Sequence, residues 1–105
     1  MSQINYERTY KVIGRDQAEA KFSIFPTYML QIDFKGSLIK LRAPGDAIRF
    51  EPRTVMGISA VDVSYTADHA QSAFWTVTLA KDDADELWST LAQVQQAVED
   101  FNRKP

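Results

Sequence analysis

Cysteine is missing from all 105 residues, which excludes disulfides, thiolate metal sites and thiol catalysis together. Histidine occurs once, as His69; zinc asks for three or four nitrogen or sulfur ligands, so a zinc centre is not expected. Glycine is sparse as well. Gly14, Gly36, Gly45 and Gly57 stand far apart, and no glycine-rich phosphate loop can be built from them. No run approaches the roughly 20 apolar residues needed to span a bilayer. The opening Met1-Ser2-Gln3-Ile4-Asn5-Tyr6-Glu7-Arg8 has neither the basic start nor the apolar core of a secretory leader. With cysteine absent, the cytoplasm is the expected location. Neither sign of charge dominates: 12 basic and 14 acidic side chains leave a net −2, too little to draw the chain to nucleic acid or an anionic membrane.

What is present is ordinary globular material. Hydrophobic residues make up 45% and charged residues 25%, and a chain of this length is expected to form one domain, residues 1–105, around one core. Residues 4–13 alternate as a strand, with Ile4, Tyr6, Tyr10 and Val12 on one face and Arg8 interrupting them. Gly14-Arg15-Asp16 is a turn signal followed by a polar loop to Glu19. Strand character resumes at Phe22–Phe25 and stops at Pro26, which has no N–H for a ladder. Tyr28, Leu30, Ile32 and Phe34 alternate cleanly, Lys35-Gly36 suits a hairpin turn, and Leu38–Leu41 is the expected return strand. Ala43-Pro44-Gly45-Asp46 reads as a type II turn, and Ile48 to Phe50 as a short strand ended by Pro52. Residues 54–66 read as one long strand whose phase changes at Ala60-Val61, where a bulge is expected. Trp75, Val77 and Leu79 mark the last strand.

A helix follows over about 82–102. Asp83 and Glu86 have the spacing of a capping box. Ala84, Leu87, Leu91, Val94, Val98 and Phe101 recur every three or four residues as an apolar stripe, widened by Trp88 and Ala92. About seven mostly antiparallel short strands, forming a curled sheet or barrel closed by one C-terminal amphipathic helix, make an α+β fold. Burying Leu87, Trp88, Leu91, Val94 and Val98 would contribute roughly 1.5–3 kcal/mol each, so the fold is expected to depend on the helix.

That element order resembles the pleckstrin-homology-like superfold. The likeness is carried by Phe74-Trp75-Thr76-Val77-Thr78-Leu79-Ala80, the acidic stretch Asp82 to Glu86, then Trp88 and Leu91. It implies a tryptophan of the closing helix packed on the open end of a barrel, with Trp88 in that role. It also points to basic residues around the first hairpin where lipid-binding members hold phosphates. Lys11, Arg15 and Lys21 lie there but are diluted by Glu7, Asp16 and Glu19, so a lipid-phosphate site is not expected.

The remaining candidates are surfaces. Lys40, Arg42, Arg49 and Arg53 flank the Pro44-Gly45 turn, and with Phe50 they would form a small basic–aromatic patch of the kind that holds single-stranded nucleic acid. The plainer reading makes them outward strand charges that keep a sheet soluble. His69 beside Asp68 has the elements of an acid–base pair, yet no nucleophile or second acid is marked. Asp33 and Asp62 are expected to face solvent, and Asp82 to Glu86 to serve the helix start rather than a cation. The helix stripe also suits a homodimer seam, but docking on the chain's own sheet is expected, with Trp88 and Ala92 left as a partner-binding or dimer edge. The resulting expectation is a non-catalytic module acting through protein–protein contacts, with no cofactor and no membrane partner. Single-stranded nucleic-acid binding is the alternative.

Overall fold

A computed structural model of the chain describes residues 6–13, 18–66 and 73–103, the last three by backbone alone. It is an α+β fold of seven antiparallel strands in two sheets and one helix. The first sheet is a meander of β1 (Tyr6–Lys11), β2 (Glu19–Phe25), β3 (Met29–Phe34) and β4 (Lys40–Pro44). The second runs β5 (Ile48–Val55), β6 (Ile58–Tyr65), β7 (Trp75–Ala80), and α1 (Lys81–Arg103) follows directly. The sheets meet at one seam, where Val12 bridges Leu79 and the Ile13 amide donates to the Thr78 carbonyl at 2.9 Å. At the other seam β4 and β5 are linked through a one-turn 3-10 helix, Gly45–Ala47, and do not pair. The sheets therefore do not close into a barrel.

Alternation explains the first sheet. Registers Arg8–Phe22–Ile32–Leu41 and Tyr6–Ile24–Leu30–Ala43 stack one face toward the core, and Phe22, Ile24, Leu30 and Ile32 are fully buried there. The opposite face carries Lys40 over Asp33 and Arg42 over Gln31. In the second sheet Val63, Val77 and Leu79 turn inward to meet Ala84, Leu87, Leu91 and Val94 of α1 in one hydrophobic cluster. The stripe from Ala84 to Val94 thus packs on the chain's own sheets, as its spacing predicts. Val98 is half-buried at its edge.

Arg8, which breaks the apolar face of β1, has a structural reason. Its guanidinium lies 3.6 Å from Glu86 of α1, and the Tyr10 hydroxyl donates to the same carboxylate at 2.7 Å. Glu86 therefore anchors the helix to β1 instead of completing a capping box. The helix starts at Lys81, so Asp82 and Asp83 both sit inside its first turn. Burial first, then the charges of Glu86 and Asp82, raises the Asp83 carboxyl above its ordinary value.

Four local expectations are corrected. Residues 54–66 are not one bulged strand: Met56-Gly57 is a two-residue turn, with φ of 49° and 79°, that joins β5 to β6. β5 does not stop at Pro52, which lies opposite Val61. It is tolerated because β5 is a sheet edge, where a missing N–H can face outward. The return strand after Lys35-Gly36 begins only at Lys40, leaving Leu38 and Ile39 exposed. Ala43 and Pro44 belong to β4, and the chain turns through Gly45–Ala47 instead of a type II turn.

Candidate functional site: a groove between the second sheet and the helix

The residues of the expected basic–aromatic patch are divided between the two sheets. Lys40 and Arg42 lie on the first sheet, where Lys40 is 3.9 Å from Asp33 and Arg42 Nε donates to Gln31 Oε1 at 2.8 Å. Arg49 and Arg53 lie on β5 of the second sheet, both exposed, and Arg53 reaches Asp62 at 3.5 Å. Phe50, between them in sequence, points to the opposite face and packs against the core. Asp62 is half-buried rather than free in solvent, because the Thr78 hydroxyl donates to it at 2.7 Å. Arg15, Asp68 and His69 fall outside the described residues, as does the Phe101 side chain.

Trp88 departs from the expectation attached to the family likeness. It does not plug an open end: 59% of it is exposed, while its neighbours Leu87 and Leu91 are buried. The cause is helical phase, since the core-facing stripe runs through 84, 87, 91 and 94 and leaves Trp88 at its border. Ala92, one turn on, is exposed too. Leu87 and Leu91 thus face the core, and Trp88 forms a wall on the outer flank of α1.

The wall bounds a groove of about 600 Å³ between α1 and the β5–β6 hairpin. Phe50, Pro52 and Val61 come from the sheet, Ala84 and Trp88 from the helix. Polar groups ring this apolar floor: Arg53, Thr54 and Ser59 on the hairpin side, Lys81 and Asp85 on the helix side. Lys81 donates to Asp85 at 2.8 Å, and that bond is the main reason its ammonium titrates above its ordinary value. A concave apolar surface with a few polar groups at the rim is the usual form of a binding site. Tryptophan at its edge brings a large apolar face and one N–H donor, a combination enriched at protein interfaces.

The open edge of β5 borders this groove. In a two-residue hairpin the residues flanking the turn exchange hydrogen bonds, so Val55, Arg53, Glu51 and Arg49 bond to β6. Ile48, Phe50, Pro52 and Thr54 therefore present their main-chain groups outward. Pro52 has no N–H, and this breaks the row of donors at its middle. An added strand would meet a gap there, so side-chain docking into the groove is better served than strand addition.

A second cleft of about 430 Å³ lies between Phe34, Ile39 and Leu41 on one side and Phe74, Trp75 and Val77 on the other. The Trp75 indole donates to the Arg42 carbonyl at 3.3 Å and so covers part of the β4 edge. Among the described residues, no group of three or more His, Asp or Glu side chains is gathered as a metal site would require. No helix among the described residues is long and apolar enough to cross a membrane. In comparisons with known proteins, the chain matches no family model, no curated protein and no solved structure.

The groove was missed by sequence reading because it depends on the hairpin. With 54–66 taken as one strand, Pro52 and Val61 belong to unrelated segments; with a turn at Met56-Gly57 they become cross-strand partners. Gly57 was the available signal, being a glycine two residues after Val55 in an otherwise β-rich run.

Proposed function

We propose that this protein is a non-catalytic binding module that holds a segment of another protein in the groove between α1 and the β5–β6 hairpin. The observation that carries this reading is Trp88, 59% exposed on a helix where, among the described residues, Leu87, Leu91 and Val94 are buried, and aligned along an apolar floor. Leaving that much indole in water is unfavourable, and partner side chains packed against Phe50, Pro52 and Trp88 would relieve it. The mixed rim of Arg53, Lys81 and Asp85 suits a segment with an apolar centre and polar flanks. Four strands, then three, then a closing helix also support the likeness to the pleckstrin-homology-like superfold, in which binding modules are common; that support is by analogy of fold.

The test compares immobilised wild-type chain with Trp88→Ala, using nuclease-treated native extract. A near-stoichiometric protein retained by wild type, lost with Trp88→Ala and kept by Leu38→Ser is expected. A partner indifferent to Trp88, or recovery of nucleic acid with salt-sensitive binding, would count against the groove.

A further inference from the structure

The turn that forms the groove's sheet wall holds a residue ill-suited to its place in two respects. Met56 has a φ of 49°, followed by 79° at Gly57. Two-residue hairpins with both angles positive favour Asn, Asp or Gly at the first position, and a residue with a full side chain is disfavoured in that left-handed conformation. The Met56 side chain is also 96% exposed, beside Ile58 at 61%. A strained and fully exposed methionine at a hairpin tip gains nothing from the monomer, and strain of this kind is a pointer to function.

Immediately behind the tip, Thr54 and Ser59 form one side of the groove and Trp88 the other. Methionine is flexible, fills irregular apolar gaps and makes favourable sulfur contacts at aromatic edges. The tip residues Val55, Met56, Gly57 and Ile58 carry no charge, as an apolar floor requires. Knob and groove also lie on the same hairpin, so a single two-fold rotation can bring both reciprocal contacts together.

We propose that a second copy of this chain occupies the groove, each copy inserting Met56 against Trp88 of the other. The inference rests on the groove reading and adds regulation to it: self-association keeps the groove filled until a partner displaces the neighbouring tip. Contacts centred on one side chain in each direction make a small interface, so the dimer is weak and concentration-dependent.

Sedimentation equilibrium or native mass spectrometry on the full chain, from about 5 to about 500 μM, reads this directly. The wild-type mass is expected to rise from 11.9 kDa toward twice that value. Met56→Asn places a favoured residue in the turn, so it should raise the unfolding midpoint while weakening association at least about tenfold, a loss of about 1.4 kcal/mol. A wild-type chain that stays monomeric throughout overturns the proposal, as does a Met56→Asn chain that dimerises like wild type. Partner capture separates the two readings: Trp88→Ala should lose both dimer and partner, whereas Met56→Asn should lose only the dimer. If wild type is monomeric yet partner capture still depends on Trp88, this inference fails and the groove reading stands.

Discussion

The amide of Gly45 donates to the Tyr28 carbonyl at 2.8 Å, and the Tyr28 ring lies so close that a β-carbon on Gly45 would meet it at 2.5 Å. The contact ties the β2–β3 turn to the one-turn helix between the sheets. Tyr28 itself takes a positive φ of 64°, the left-handed residue that closes a three-residue hairpin loop after Pro26-Thr27.

Gly45→Ala is therefore expected to destabilise by about 1–3 kcal/mol, because the ring is packed on the core and must shift to admit a methyl group. The check is urea denaturation in a double-mutant cycle. In a Tyr28→Ala background the same substitution should cost less, and full additivity would show that the ring is not the obstacle.

The Tyr10–Glu86 bond predicts a pH dependence. Burial is the largest cause, and the Glu86 hydrogen bond and charge add to it, holding the Tyr10 phenol well above its ordinary 10.0. The folded protein then keeps this proton more tightly than the unfolded chain does. The stabilisation is complete below pH 10 and is lost as pH rises through the folded value. Tyr10→Phe should cost about 1–2 kcal/mol at neutral pH, and the difference from wild type should shrink above about pH 10. Alkaline melts of the two chains measure it, and a constant difference up to pH 12 would argue against the bond.

Around Asp62 two partners should differ in worth. Arg53→Ala, at 3.5 Å and exposed, is expected to cost no more than about 0.5 kcal/mol. Thr78→Val removes a 2.7 Å bond to a half-buried carboxylate and should cost about 1–2 kcal/mol. Denaturation midpoints of both variants decide the order.

The two tryptophans should be separable by fluorescence. Trp75→Phe leaves Trp88 alone, and its emission should be red-shifted and readily quenched by acrylamide. Trp88→Phe leaves the half-buried Trp75, bonded to the Arg42 carbonyl, and should give the reverse. A blue shift of the Trp88 signal on adding a captured partner would report occupation of the groove.

Much of the fold was legible because side-chain period is a direct record of burial. The Tyr10/Val12, Phe22/Ile24 and Leu30/Ile32 pairs of the first sheet, and Leu87, Leu91 and Val94 of the helix, face the core as their spacing requires. Trp88, counted by its spacing among the side chains the helix buries, lies instead with Ala92 at the exposed border of the stripe. Long-range geometry was not legible. Arg49 and Phe50 are neighbours in sequence but occupy opposite faces of β5, so the aromatic ring turns to the core while the guanidinium stays exposed. Glu86 looked like a local cap because the competing partners, Tyr10 and Arg8, are far away in sequence. Met56 concealed its turn because its side chain is atypical for that backbone.

The seam at Val12 and Leu79 bears on how the chain reaches this fold. Each sheet is a meander of sequence neighbours, which can pair early and locally, whereas the seam joins residues 67 positions apart. Closing so long a loop costs chain entropy before any seam contact is gained, so this union belongs to the slow part of folding. The Ile13 amide, bonded across the seam to Thr78, is thus a natural clock for that event. In pulsed hydrogen exchange it should gain protection after the amides within β2 and β3, and together with those of α1.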